Sequence, residues 1–158
     1  MPAEVEFESW SPQGPVTELS DEHCWRLLAE AGFGRLAVSR GDRPAIFPID
    51  FRVADGGVVF RTAEGSTKLS DLLANGWVAL EMDERKGTGA SSVVLTGHAD
   101  PVSDPDRISA YDRLPLPPWI PNRPYVYVRI SPDSVHGRAF TRHLTVERTT
   151  PSPSAAGG

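Results

Sequence analysis

The sequence predicts a mostly β protein, an antiparallel barrel with peripheral helices. Short segments with alternating apolar and polar residues recur along the chain, and hairpin signals such as Asp55-Gly56-Gly57 separate them. One helical segment, residues 67–75, crosses between two strands. Short connections between the predicted strands and a single helical crossover favour a closed antiparallel sheet. A chain of 158 residues is long enough to bury one hydrophobic core.

The composition and the net charge limit the kinds of molecule that the protein is expected to bind. Hydrophobic residues make up 39% of the chain and charged residues 23%, which is typical of a globular domain. The 16 basic and 21 acidic residues give a net charge of −5, which argues against nucleic acid or an anionic membrane as a partner. A single cysteine, an acidic N-terminus and no apolar run near the ~20 residues of a membrane span predict a soluble, cytoplasmic protein.

Three regions follow from the distribution of proline, glycine and serine. Residues 1–17 contain three prolines and are predicted to be a loose arm with little regular structure. Residues 18–148 are the predicted folded domain, and its first helix is capped by Ser20 and ended by Gly32. Residues 149–158 include the low-complexity run PSPSAAGG and are predicted to be a disordered tail.

Hydrophobic periodicity predicts the order of the elements in the domain. Three strands follow the first helix, and the crossover helix leads to two more strands joined by a polar loop at residues 83–90. Another short helix, capped by Ser103 or Asp104, ends near Leu114 before a proline-rich loop. The predicted strands are 34–39, 44–53, 58–62, 77–82, 91–99, 125–130 and a further one within 135–146.

Residues 58–75 contain the clearest candidate binding motif, a strand, a polar turn and a helix start. Arg61 and Thr62 close the strand, and Ser66 and Lys68 stand at the beginning of the helix. A helix N-terminus offers unpaired N–H groups, and the two cations add charge, so the cluster suits a phosphate monoester. A capped surface helix with two solvated cations explains the same spacing equally well. A triphosphate loop is not indicated, because its glycine pattern is absent.

Signals for other chemistry are weak. The four histidines, at positions 23, 98, 136 and 143, lack metal-ligand spacing, and with one cysteine no metal site is predicted. Cys24 lies on the apolar stripe of a helix and is interpreted as a buried small hydrophobe rather than a nucleophile. Pro48 interrupts the second strand and cannot donate a ladder hydrogen bond, so it marks an edge or a bulge with free backbone groups.

The run GRLAVSRGDRPAIFPIDFRVADGGVVFRTAEGSTKLSDLLANGWVALEMDE resembles the pyridoxamine 5'-phosphate oxidase-like family of FMN-binding split barrels. It is similar in particular to a short bacterial branch that is common in actinobacteria. The resemblance continues through GTGASSVVLTGHA to LPLPPWIPNRPYVYVRISPDSVHGR and covers roughly residues 18–138. It implies a six-stranded split β-barrel that forms a homodimer and holds FMN at the subunit interface.

The resemblance also implies which residues contact the cofactor. Its phosphate-binding positions are Arg61, Thr62, Ser66 and Lys68. The remaining positions lie on three further segments. A strand whose backbone runs along the isoalloxazine ring contains Phe47, Pro48, Ile49 and Asp50. A segment of the following hairpin contains Ser91 and Ser92, and an aromatic-bearing loop contains Trp119. For Trp119, simple packing over the barrel end explains the residue equally well.

This chain departs from the family pattern in two places. Ala90 stands where a bulky aromatic residue is expected before Ser91, and Arg142 and His143 are adjacent instead of forming the Arg-x-His pattern that holds pyridoxamine phosphate. The resemblance therefore implies an FMN-dependent oxidoreductase that passes a hydride between the flavin and a small organic substrate other than a B6 vitamer. Alternatives are a reductase using a deazaflavin cosubstrate, or a non-catalytic flavin- or haem-binding carrier or sensor. No catalytic acid or base is nominated.

Overall fold

The structure is a computed structural model that describes residues 5–7, 16–117 and 124–141. Within these residues it contains eight strands and three helices. The strands are β1 (Val5–Phe7), β2 (Val16–Leu19), β3 (Phe33–Arg40), β4 (Arg43–Ala54), β5 (Gly57–Ala63), β6 (Trp77–Lys86), β7 (Gly89–Pro101) and β8 (Tyr125–Thr141). The helices are α1 (Asp21–Ala31), α2 (Thr67–Ala74) and α3 (Pro105–Tyr111).

Six of these strands close into an antiparallel barrel. The described sheet has the order β1-β2-β8-β5-β4-β3-β6-β7, and β7 also pairs with β8, which completes a ring from β3 to β8. β8 can close the ring because its 17 residues pair with β5 near their beginning and with β7 along most of their length. The predicted antiparallel split barrel of six strands is therefore confirmed.

Two predictions about local structure were wrong, and the predicted arm contains short strands. Val5–Phe7 and Val16–Leu19 pair with each other, and the second of these strands extends the sheet beside β8. Most of the predicted loop at 83–90 belongs to strands, because β6 and β7 stay paired from Trp77↔His98 to Lys86↔Gly89. The two strands predicted at 125–130 and 135–146 are one continuous strand, β8.

The ends of the first helix follow the sequence signals. The Ser20 hydroxyl accepts a hydrogen bond from the N–H of His23 at 3.2 Å, as expected of an N-cap. Gly32 adopts φ +62° and donates its N–H to the carbonyl of Leu28. The α1 face that carries Cys24, Leu27 and Leu28 is buried in the main core, which confirms Cys24 as a buried residue.

The core fills the barrel with apolar side chains from every one of its six strands. Alternation of buried and exposed residues is clearest in β3, where Gly34, Leu36 and Val38 face inward. The largest fully buried side chains include Phe51, Phe60, Leu80, Leu95 and Ile130. No helix within the described residues is long and apolar enough to cross a membrane.

A smaller cluster lies outside the barrel, where α3 packs on β5 and β8. It is built from Val59, Tyr111 and Tyr127, which are all buried. Asp104 caps α3 by accepting the N–H of Asp106, so of the two predicted caps Asp104 is the one observed. The chain after α3 then returns across β4 and β5 at residues 115–117, and this segment forms one wall of a depression on the side of the barrel.

Candidate functional site

A depression of about 140 Å³ lies on the side of the barrel between β4, β5, α2 and the segment 115–117. Five of the residues that the sequence nominated line it, and they come from three different elements. The full lining is Pro48, Ile49, Asp50, Arg61, Lys68, Leu116 and Pro117. The strand predicted to contact a ring system and the cations predicted to bind a phosphate are therefore neighbours in space.

The first half of β4 forms the open backbone edge of this depression. Residues 43–50 pair with β3, including Pro48 opposite Arg35, whereas pairing with β5 begins only at Phe51. Every second residue of an antiparallel strand turns its N–H and C=O away from a given neighbour. The part of β4 that contains Pro48 thus has an edge not used by any described strand, which confirms the prediction that Pro48 marks an edge.

The start of α2 supplies hydroxyl groups close to this edge. Ser66 is the N-cap, and its hydroxyl accepts the N–H of Leu69 at 3.1 Å. The Ser66 Oγ also lies 3.0 Å from Oγ1 of Thr62, whose side chain is buried at the end of β5. This short hydrogen-bonded chain fixes the turn between β5 and α2, so that the helix start and Arg61 keep a constant spacing.

Lys68 places a poorly solvated positive charge in the depression. Its side chain is half-buried, and its Nζ lies over the Phe47 ring, 5.4 Å from the ring centroid. No carboxylate among the described residues forms an ion pair with it. Burial lowers the pKa of the Lys68 ammonium, because desolvation disfavours the charged form. A ligand anion would relieve this penalty, so Lys68 favours the anion-site interpretation over that of a solvated surface cation.

Arg61 has two roles in this geometry. Its Nη2 donates to the carbonyls of Leu116 at 3.0 Å and Pro117 at 2.7 Å, and its guanidinium lies 5.1 Å from the centroid of the Tyr125 ring. Within the described part of the chain, the hydrogen bonds of the Arg61 side chain all come from Nη2, and none comes from Nε or Nη1. Arg61 therefore holds the wall of the depression with one end of its fork and leaves the other donors for a ligand.

Not every nominated residue lies at this depression. Ser91 and Ser92 are on β7, opposite Glu84 and Asp83 of β6, and they do not line it in the single chain. Trp119 lies outside the described residues. Sequence reasoning missed the wall residues Leu116 and Pro117, since their contact with Arg61 depends on the path of a loop that no local periodicity encodes.

The histidines form no metal centre in the described residues. No group of three or more His, Cys, Asp or Glu side chains there is placed to hold a metal ion. His98 hydrogen-bonds to Asp100 through Nδ1 at 3.0 Å and packs edge-on against Trp77. This pair lies on the outer surface of β6 and β7, and none of its residues lines the depression.

A closed six-stranded antiparallel barrel with a cationic depression beside an open strand edge is a split β-barrel with one candidate anion site. The family model described as pyridoxamine 5'-phosphate oxidase matches residues 20–148 of the chain. The chain therefore belongs to the pyridoxamine 5'-phosphate oxidase family, as the sequence resemblance predicted.

Individual relatives agree with this assignment. An uncharacterized protein of Mycobacterium tuberculosis is 39% identical over 136 residues, which span 80% of this chain and 88% of the relative. The crystal structure of a candidate pyridoxamine 5'-phosphate oxidase from Corynebacterium glutamicum aligns with a TM-score of 0.72 at 38% identity, covering 82% of this chain and 97% of that one. A FAD-binding protein from Mycobacterium smegmatis aligns with a TM-score of 0.69 at 32% identity, covering 78% and 97%.

Proposed function

We propose that the protein is an FMN-dependent oxidoreductase that passes a hydride between the flavin and a small organic substrate. The observation that carries this proposal is the half-buried Lys68 ammonium, which has no carboxylate partner among the described residues and shares a depression with Arg61. Family membership supports a flavin as the ligand, and a terminal phosphate is the part of FMN that two such cations suit.

The residues present fit the phosphate end of FMN. Lys68 would supply a point charge and Arg61 its Nε and Nη1 donors. The hydrogen-bonded hydroxyls of Thr62 and Ser66 lie at the adjacent turn and are not among the residues that line the depression. When bound, FMN would supply the hydride chemistry. The role of the chain would be to hold the phosphate, to align the ring along the open edge of β4 at Pro48, and to keep water from one face of the ring.

FAD is a second candidate because the Mycobacterium smegmatis protein, 32% identical to this chain, is described as FAD-binding. We favour FMN because Arg61 and Lys68 meet at one depression of about 140 Å³, and two cations suit the terminal phosphate monoester of FMN. Cytoplasmic localisation and a homodimer are part of the proposal.

The absorption spectrum of the freshly purified protein tests the function directly. A flavin spectrum that bleaches on addition of a reduced nicotinamide and returns with an organic acceptor would support the oxidoreductase. A flavin spectrum that no reductant or substrate changes would favour a carrier. A colourless protein that binds a deazaflavin cosubstrate, or a protein with a Soret band, would replace FMN with the corresponding alternative.

A further inference from the structure

An ion pair between a buried carboxylate and a partly exposed guanidinium connects α2, the helix that carries Lys68, to the end of β3. The Nε of Arg40 donates to Oδ1 of Asp71 at 2.9 Å, and its Nη2 donates to Oδ2 at 3.2 Å. The Asp71 side chain is 6% exposed, whereas that of Arg40 is 57% exposed. The Asp71 carboxylate is therefore buried inside the fold. The Arg40 guanidinium reaches it from the surface and binds it through two N–H···O hydrogen bonds.

The position of Asp71 is unusual for a helix that receives an anion. It lies between the buried Leu69 and Leu72 and three residues after Lys68, so that it shares one face of α2 with that lysine. An apolar side chain could fill the same buried position without the free-energy cost of removing a charge from water. A carboxylate one turn from Lys68 would attract the ammonium and repel a ligand phosphate unless another cation neutralised it.

We infer that Arg40 is a positioning residue for the anion site: by pairing with Asp71 it ties α2 to β3 and leaves the charge of Lys68 for the ligand. The inference rests on the proposed function for the identity of that ligand, the flavin phosphate. α2 packs mainly against β3, so the pair lies at the contact that sets where Lys68 and Ser66 stand relative to Arg61. The other charged residues lining the depression are Arg61 and Asp50.

The chain offers a matched control on the same strand. Arg35 also lies on β3 and also bonds carboxylates, those of Glu81 and Asp83, each at 2.8 Å. Its side chain is 52% exposed, close to the exposure of Arg40. Its partners belong to β6 and not to α2. Removing Arg35 therefore removes an exposed arginine from β3 without touching the helix.

Binding of FMN and of riboflavin, which lacks the phosphate, measures the predicted effect. In Arg40→Ala we expect FMN to bind about fivefold more weakly and riboflavin to bind with nearly unchanged affinity. Arg40→Lys keeps the charge without the fork and should recover part of the loss, whereas Arg35→Ala should match wild type. Equal weakening of both ligands in Arg40→Ala, or no weakening of either, would overturn the inference.

A second readout needs no flavin. The chain has two lysines, Lys68 and Lys86, so NMR of a protein with labelled lysine side chains resolves the pKa of each. In Arg40→Ala the uncompensated carboxylate should raise the pKa of Lys68, and in Arg40→Ala with Asp71→Asn the pKa should return toward wild type. Lys86 should not respond in either variant. An unchanged Lys68 pKa in Arg40→Ala would contradict the inference.

The two readouts separate two failures. If the wild type binds no flavin while the Lys68 pKa shifts as described, the proposed function is wrong and the role of Arg40 toward Lys68 stands. If the wild type binds FMN, but Arg40→Ala changes neither the Lys68 pKa nor the ratio of the FMN and riboflavin affinities, the proposed function stands and this inference is wrong. If Arg40→Ala does not fold, Arg40→Lys and the double variant decide the question by the same two measurements.

Discussion

The Nζ of Lys68 lies over the Phe47 ring, 5.4 Å from its centroid, and no described carboxylate pairs with it. The face of an aromatic ring attracts a cation only modestly, and less than a carboxylate or a phosphate does. Burial has already removed part of the hydration of this ammonium and lowers its pKa. A ligand anion can therefore gain more from Lys68 than from an ordinary surface lysine.

The first prediction concerns that lysine. Lys68→Ala should weaken FMN binding roughly tenfold or more, because one charge-assisted contact with the phosphate is worth ~1.5–3 kcal/mol. Lys86→Ala is the control, since Lys86 is exposed on the β6–β7 hairpin and pairs with Glu84 at 3.1 Å. Quenching of flavin fluorescence measures both affinities. Equal FMN affinity in Lys68→Ala and Lys86→Ala would remove Lys68 from the site.

A homodimer is the second prediction. Ile46 is 67% exposed and Trp77 59% exposed, and large apolar side chains that stay exposed in one chain favour burial against another. Ile46 lies on β4 two residues before Pro48, which lines the depression, so a second subunit that covers Ile46 would lie near the site. Light scattering should give twice the chain mass of 17.2 kDa, about 34 kDa. A particle of one chain mass across micromolar concentrations would contradict this prediction.

Alkaline pH should destabilise the fold through Tyr127. Burial, followed by the 2.7 Å hydrogen bond to Asp112, raises the pKa of its hydroxyl above the ordinary value. A raised pKa means that folding favours the protonated form, so this stability is complete below about pH 10 and decreases as the pH rises beyond it. Urea unfolding at several pH values should show this loss, and Tyr127→Phe should make it smaller. An identical pH dependence in both proteins would show that Tyr127 does not contribute.

Trp119 lies outside the described residues, and its role stays a prediction. If it stands near the flavin ring, Trp119→Ala should change the flavin spectrum and substrate turnover with little effect on thermal stability. If it packs over the barrel end, its loss should cost ~3–5 kcal/mol of unfolding free energy and lower the melting temperature of the apoprotein. A variant that melts early yet keeps a native flavin spectrum would leave Trp119 with a packing role only.

The barrel could be predicted because its strands and caps are encoded locally. Ser20, Gly32 and Ser66 cap helices as their residue types predict, and the Asp55-Gly56-Gly57 hairpin has positive φ at Asp55 and Gly56. Strand ends were harder to predict. Residues 83–86 are polar and charged, yet they continue β6, because pairing with β7 stabilises strand structure that their own composition does not favour.

The part of the candidate site whose residues are close in sequence could be predicted. The part that is brought together only by the tertiary fold could not. Arg61, Thr62, Ser66 and Lys68 fall within eight consecutive residues, so one motif reveals them. Leu116 and Pro117 lie at the depression through tertiary contacts, since Arg61 and Arg52 bond the carbonyls of the segment 115–117. The Arg40–Asp71 pair joins residues 31 positions apart and carries no sequence signal of its own.

Titration of the wild-type protein with FMN and with riboflavin tests directly whether the site recognises a flavin phosphate. If Arg61 and Lys68 hold the flavin phosphate, FMN should bind at least about tenfold more tightly than riboflavin, and the difference should shrink with added salt. The two ligands share the same ring, so their comparison isolates the phosphate. Equal affinity for both, or a phosphate contribution that Lys68→Ala leaves intact, would contradict the account.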